Sequence, residues 1–350
     1  MRAVIIKEHG VAALENIQEP AVRQGYFKIK TVAMALNPTD VNHVDRTGRV
    51  GGIVGCDVSG VVVKVGEGRK TQVKKGDAVY GQCHGANMSC ATDGAFAEYA
   101  LVRDGHLAKI PEGLRFEEAA TLGLGITTVG QALYMTLGLP LPGDETSLKT
   151  PVYVLIYGGS TATGTIAIQF AKASGLSVVT TASPANFDLV KSRGADAVFD
   201  YHDPQCARRI KEYTHNSLHH VLDCISTEAS YHIVAEAMPE RAEIPMQVVA
   251  LRLTDTWPRP DIQATPILAY TTFGEAFTKF DMDIPVMPSH YEFGVTFWKL
   301  AAELIAAGRV VPHPVALRDG GLAGIPFGLA ELRHRHANGV KLVYHVTDTS

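Results

Sequence analysis

The apolar and polar positions of this chain change rhythm partway along. Up to about residue 110 the runs are short and alternating, as in Phe27-Lys28-Ile29-Lys30-Thr31-Val32 and the stretch Val58 to Val65. Glycine turns such as Gly66-Glu67-Gly68 and Lys75-Gly76-Asp77 punctuate them, so this region reads as β-rich. A less regular loop, Cys83 to Asp93, precedes a strand around Phe96 to Val102. Residues 117–137 predict a helix, with Glu117 and Glu118 near its start, where the helix dipole favours them. A Pro/Gly/polar connector, GLPLPGDETSLKT, follows.

Beyond it the pattern alternates between strand and helix. The apolar, β-branched run Val152 to Tyr157 meets Gly158 and Gly159; the small-residue loop Ser160-Thr161-Ala162-Thr163-Gly164 then opens a helix over Thr165 to Ala173. A second strand, Leu176 to Thr181, another helix and a third short strand ending at Tyr201 complete the unit. Strands are expected again at His219 to Ile225 and in MQVVALRL, with YTTFG (Tyr270 to Gly274) after them. A long amphipathic helix is expected over Phe293 to Ala307, with Val295, Trp298, Ala302 and Ile305 on its core face. KLVYHV (Lys341 to Val346) is strand-like.

Strand, glycine turn, helix, strand is the unit that binds a dinucleotide, its pyrophosphate lying at the free N–H groups of the helix N-terminus. Gly159 and Gly164 are too far apart for the G-x-G-x-x-G spacing, but a loop of Ser and Thr still offers backbone and hydroxyl donors to phosphate. An NAD site places a carboxylate at the end of the second strand to hold the ribose 2′-hydroxyl. This chain has Ser183, Pro184, Ala185 and Asn186 there, with Lys191 and Arg193 in the next helix. A carboxylate would repel a 2′-phosphate, whereas hydroxyl, amide and cationic groups accept one, so NADPH is expected. Tyr201 could cover the adenine or reach the same phosphate.

Composition narrows the class. The chain has 350 residues, enough for two domains, and its net charge of −4 comes without a basic stripe, which argues against a nucleic-acid partner. The first apolar run is too short for a signal peptide and no segment reaches a membrane span, so a cytoplasmic protein is expected. Five scattered cysteines suggest a reducing compartment. Cys83, His84 and Cys90 share a loop, but no C-x-x-C pair exists and no metal is expected.

The order of a β-rich region, a nucleotide-binding region and a short return segment resembles the medium-chain dehydrogenase/reductase superfamily. ALNPTDVN, GCDVSGVVVKVGEG, KKGDAVYG and DGAFAEYALV carry the resemblance in the first region. Gly55-Cys56-Asp57 stands where zinc alcohol dehydrogenases carry Gly-His-Glu, and their four-cysteine lobe is missing, so the zinc-free quinone/enoyl reductase branch is indicated. GITTVGQALYMTLGLPLP, KTPVYVLIYGGSTATGT, SPANFDLVKSRGADAVFDY, TTFGEAF and GRVVPHPVALRDGG are similar to the stand-alone, trans-acting enoyl reductases of fungal polyketide assembly lines.

That resemblance implies an α/β protein: a β-rich GroES-like catalytic domain over 1–125 and 285–350, and a Rossmann-type doubly wound parallel sheet over 126–284. It implies NADPH held by Thr39, Asp40, Val41 and Asn42, by Ser160, Thr161, Ala162 and Thr163, and by Ser183, Pro184, Ala185 and Asn186. Tyr201, Leu251, Arg252, Val343 and Tyr344 complete the implied cofactor set. The acyl substrate would lie along Thr128, Val129, Gly130, Gln131, Ala132, Leu133, Tyr134 and Met135, and near Tyr270, Thr271, Thr272, Phe273 and Gly274. The implied reaction is reduction of an α,β-unsaturated thioester on the acyl carrier domain of a separate polyketide synthase, by a monomer. Thr128 and Asn42 are the candidate catalytic residues: hydride addition at the β-carbon leaves an enolate-like oxygen that needs a donor. The α-carbon proton is assigned to water, since no His or Tyr stands out as the acid.

Three positions depart from the family pattern. Asn42 replaces a usual Lys, Pro239-Glu240-Arg241-Ala242-Glu243-Ile244-Pro245 replaces a glycine-rich turn, and Leu122-Gly123 replaces Leu-Pro. Asn brings no positive charge to a developing enolate. Two rival readings therefore stand beside the main one: a quinone or enone reductase acting on free small molecules, and a reductase-like scaffold that binds the synthase or its product without redox chemistry.

Overall fold

The computed structural model describes residues 1–68, 71–144, 150–252, 257–334 and 337–346. Residues 145–149 of the Pro/Gly connector and Leu253 of the MQVVALRL run lie outside them. The chain divides into two compact units, Met1–Thr127 with Ala269–Ser350, and Thr128–Leu268. The return to the first unit thus comes at Ala269, ahead of the expected position 285. Directly after that point Tyr270 stacks on His84 at 3.9 Å and Phe273 on His106 at 4.5 Å, within the first unit.

The unit Thr128–Leu268 carries a six-stranded parallel sheet: β1 (Tyr153–Tyr157), β2 (Ser177–Ala182), β3 (Ala197–Asp200), β4 (His220–Asp223), β5 (Met246–Ala250) and β6 (Ile262–Pro266). The spatial order is β3-β2-β1-β4-β5-β6. This is the doubly wound arrangement whose switch point, beside β1, is where ligands bind. Leu155, Val179, Val221 and Val248 form the core on one face. Helix α1 (Ala162–Ala173) follows β1 and buries Ile166, Ala167, Phe170 and Ala171.

The other unit is built on a seven-stranded sheet. Along it lie Val315–Arg318, Lys341–His345, Tyr26–Ala35, Asp57–Val65, Ala78–Gln82 and Leu107–Lys109, while Tyr99–Arg103 pairs separately with Tyr26–Ala35. Phe27, Ile29, Met34, Val58, Val62 and Leu342 point into its core. A buried ion pair bridges the two strands that flank Tyr26–Ala35: Lys341 Nζ lies 2.5 Å from Asp57 Oδ2, with both side chains almost fully buried. Asn37 Nδ2 and the Leu124 amide donate to the same carboxylate, and Lys341 also donates to the Thr121 carbonyl.

That carboxylate explains why residues 117–137 are not one helix. The run breaks into Phe116–Ala119, Gly123–Val129 and a π-helical turn, Gly130–Thr136. Gly123 sits so close to Asp57 Oδ1 and to the Gly81 carbonyl that a Cβ would lie 2.5 Å from each. The long amphipathic helix runs over Pro288–Ala306, and its buried face is Gly294, Phe297, Trp298, Ala301, Leu304 and Ile305. Val295 and Ala302, expected in the core, are only half-buried. Trp298 and Ile305 are buried as expected, and the Trp298 indole donates to Thr127 Oγ1.

Candidate functional site

The turn between β1 and α1 is shaped by three glycines. Gly158 has φ +82°, and a Cβ on Gly159 would meet Thr180 Oγ1. A Cβ on Gly164 would lie 2.4 Å from the Gly158 carbonyl, so Gly164 provides the close helix–strand approach despite the unusual spacing. Thr161 caps the helix: its Oγ1 accepts from the Gly164 amide at 2.9 Å and donates to the Gly158 carbonyl at 2.8 Å. The first amides of α1, those of Ala162 and Thr163, have no partner within the helix. Ser160, Thr161, Ala162 and Thr163 are only half-buried, which leaves this positive end accessible to an anion. The residues present fit the pyrophosphate of a dinucleotide.

At the end of β2, Ser183 is half-buried and Pro184 and Ala185 are exposed, while Asn186 Nδ2 donates to Ser183 Oγ at 3.1 Å. In the β2–β3 register Asp200 lies opposite Ala182, and its carboxylate is turned to the backbone and ring of His202. Tyr201 is exposed, its ring tilted at 39° against that of His202 with centroids 4.1 Å apart. Lys191 is exposed, with its ammonium over the Phe187 ring, and Arg193 is half-buried. Leu251 donates its amide to Ser226 Oγ just past β5, and Arg252 beside it is exposed.

The remaining candidates are divided between the units: Thr39 to Asn42, Val343, Tyr344 and Tyr270 to Gly274 belong to the first, Thr128 to Met135 to the second. Thr39, Asp40, Val41 and Asn42 lie on the one-turn helix Pro38–Asn42. Asp40 is fully buried and accepts from the Asn37 amide, so its carboxyl belongs to the interior; burial pushes it up to about 7 against that bond. Asn42 is exposed, with a 3.5 Å bond to Thr47 Oγ1. Val343 and Tyr344 are core residues of a paired strand. Thr128, Val129, Gly130, Gln131, Ala132, Leu133 and Tyr134 are buried, and of that stretch Met135 alone is half-buried.

Tyr270, Thr271, Thr272 and Phe273 are also buried, and they enter a polar cluster that sequence reasoning missed. The Tyr270 hydroxyl lies 3.3 Å from both Cys56 Sγ and His43 Nε2. Lys279 Nζ, 5% exposed, donates to the same His43 nitrogen at 2.9 Å, and its ammonium sits 5.1 Å over the Tyr270 ring. Thr39 Oγ1 reaches His43 Nε2 at 3.3 Å. Burial pushes the Tyr270 phenol and Cys56 thiol well up and holds the His43 and His84 imidazoles well down, so all four are neutral at ordinary pH. Burial pulls Lys279 down to about 8. Among the described residues no carboxylate lies within ion-pair distance of it. Thr272 Oγ1 and His106 Nε2 form a second buried polar pair at 2.9 Å.

Asp40, His43 and Cys56 each present one potential metal ligand, all within 4.8 Å of one another. They do not fit a zinc. The cluster already contains the Lys279 ammonium, which would face a dication at short range, and a catalytic zinc needs an open water position besides three ligands.

A parallel sheet with a glycine-shaped turn in one unit and a β-rich sheet in the other are the parts of a medium-chain dehydrogenase/reductase. Residues 23–112 match the alcohol dehydrogenase GroES-like domain, and residues 162–246 match the zinc-binding dehydrogenase family. The chain is 42% identical to the trans-enoyl reductase ACTTS2 of Alternaria alternata, over 99% of this chain and 98% of that one. It is 40% identical to the trans-enoyl reductase resD of Aspergillus sclerotiorum, over 99% and 100%. Among solved structures, the CurK enoyl reductase superposes with a TM-score of 0.74 at 18% identity, over 98% of each chain, a likeness of fold. The chain belongs to the trans-enoyl reductase family, and its cofactor class is a nicotinamide dinucleotide. No helix among the described residues is long and apolar enough to cross a membrane.

Proposed function

We propose that the protein is an NADPH-dependent enoyl reductase acting in trans on an α,β-unsaturated polyketide thioester carried by the acyl carrier domain of a partner synthase. End-to-end similarity to trans-enoyl reductases carries this reading. The accessible helix N-terminus at Ala162 and Thr163 would hold the pyrophosphate, and Ser183 with Asn186 the 2′-phosphate. When bound, the nicotinamide supplies a hydride. The chain's part is to orient the enoyl group, to meet the developing enolate with a hydrogen bond from Thr128, and to deliver a proton.

The test is loss of NADPH absorbance with carrier-bound enoyl thioesters of several chain lengths, alongside free enones and quinones. Turnover of the carrier-bound substrate well above that of free enones is expected. Equal turnover of free enones would favour the small-molecule reductase, and NADPH binding without turnover of any substrate would favour the scaffold.

A further inference from the structure

The reduction adds one proton for every hydride, and the cluster around His43 offers a path for it. His43 Nε2 presents a single lone pair to three donors: Lys279 Nζ at 2.9 Å, Thr39 Oγ1 at 3.3 Å and the Tyr270 hydroxyl at 3.3 Å. His43 is fully buried and Lys279 nearly so, whereas Thr39 is half-buried. Thr39 therefore connects the interior network to the surface, and it lies on the segment that the family resemblance assigns to the cofactor. Lys279 is an ammonium held inside the protein with a neutral imidazole, a thiol and a phenol as neighbours. An unpaired buried cation is costly, and it lowers that cost by giving up its proton.

We propose that Lys279, His43 and Thr39 form the proton-delivery path of the reduction, Lys279 acting as the internal proton store and Thr39 as the group that meets the substrate. This rests on the reading of the protein as an enoyl reductase. The hydride's electron pair forms the new C–H bond at the β-carbon, and the C=C π pair moves onto the thioester as an enolate. The enolate α-carbon then takes the Thr39 hydroxyl proton while Thr39 takes one from His43 Nε2. The proton that passes through Nε2 comes from the Lys279 ammonium, whose N–H bond breaks to leave a neutral amine. Solvent returns one proton to the amine after product leaves, so one hydride and one proton are consumed per turnover.

The experiment compares the native protein with Lys279→Met and Thr39→Val, using a carrier-bound enoyl thioester and NADPH in D2O. General acid catalysis contributes about a hundredfold or more, so each variant should lose ten- to a hundredfold or more in kcat, with the KM for NADPH nearly unchanged in Lys279→Met. The native product should carry deuterium in one configuration at the α-carbon, and the Lys279→Met product in both. Methylammonium should restore part of the turnover of Lys279→Ala. A second measurement needs no cofactor: in protein labelled with 15N-histidine, the His43 Nε2 resonance should move with pH as Lys279 titrates, and that movement should vanish in Lys279→Met. Native turnover and a single α-configuration in folded Lys279→Met would overturn the relay alone, as would an Nε2 resonance indifferent to Lys279. If Lys279→Met does not fold, undiminished turnover and a single α-configuration in Thr39→Val do the same. A native protein inert toward every enoyl thioester would overturn the reductase reading, and the relay with it.

Discussion

The turn at the N-terminus of α1 and the cluster around His43 are built on opposite principles. The turn works through backbone. Gly158, Gly159 and Gly164 leave no room for side chains, and a single hydroxyl, that of Thr161, fixes the cap. The cluster works through side chains brought from far apart in the chain, Thr39 and His43 with Cys56, His84, Tyr270 and Lys279. A backbone site binds whatever anion fits its N–H groups. A side-chain cluster sets proton affinities, and burial moves every titrating member of this one away from its ordinary value.

The largest expected effect tests the scaffold of the side-chain unit. Lys341→Met leaves Asp57 buried with only Asn37 and the Leu124 amide as partners. Stranding one member of a buried pair costs about 3–5 kcal/mol. Chemical unfolding should show that loss in the midpoint, while replacing both partners by apolar residues of similar volume should recover much of it. A loss under 1 kcal/mol would mean that water reaches the Asp57 carboxylate.

The next prediction concerns pH. Lys279 is faced by His43, His84, Cys56 and Tyr270, with Asp40 behind Cys56, and burial lowers it from 10.5 to about 8. An acid that must be protonated to act is ready below its pKa and spent above it. The kcat for carrier-bound substrate should therefore be limited by this group above about pH 8, falling about tenfold per unit, and that limb should be absent in Lys279→Met. A profile identical in both proteins would separate the cluster from the chemistry.

These two regions also differ in how far they could be read in advance. The turn lies within a few consecutive residues, so its strand, glycines and hydroxyl loop are visible as a string, and β1, α1 and β2 fall within a few residues of the expected bounds. The cluster has no such string. His43 directly follows the candidate Asn42, yet only the approach of Tyr270 and Lys279, more than two hundred residues later, makes it part of a network. Lys279, flanked by Thr278 and Phe280, looks like any strand lysine. The unbroken helix expected over 117–137 failed for the same reason: the Leu124 amide is claimed by Asp57, a partner 67 residues away. Local patterns foretold the element types, and long-range polar partners decided where they break.

A smaller effect sharpens the backbone side of the comparison. Ser183 and Asn186 at the end of β2 should favour NADPH over NADH at least about tenfold, since a hydrogen bond to a charged group is worth about 1.5–3 kcal/mol. Calorimetric titration with both cofactors measures it, and Ser183→Asp should reverse the preference. Equal affinities for the native protein would leave the 2′-phosphate site without support.

The smallest expected effect is at Asn42, where the family's usual lysine is missing. Asn42 is exposed and weakly bonded to Thr47 Oγ1, so a lysine there would hold its ammonium in water. An exposed charge contributes about 1 kcal/mol at most, roughly fivefold in rate. Lys279 already places an ammonium inside the same unit, 2.9 Å from the His43 nitrogen that Thr39 also reaches. Asn42→Lys alone should therefore change kcat by less than about fivefold. The informative protein is the double variant, Asn42→Lys with Lys279→Met. If the interior lysine has taken over the task of the missing one, the added lysine should recover turnover that Lys279→Met lost, and the two substitutions should be strongly non-additive. Strict additivity would mean that the two positions serve different steps. A tenfold or greater gain from Asn42→Lys in the native background would show that the missing charge limits the enzyme, and that the interior cluster does not replace it.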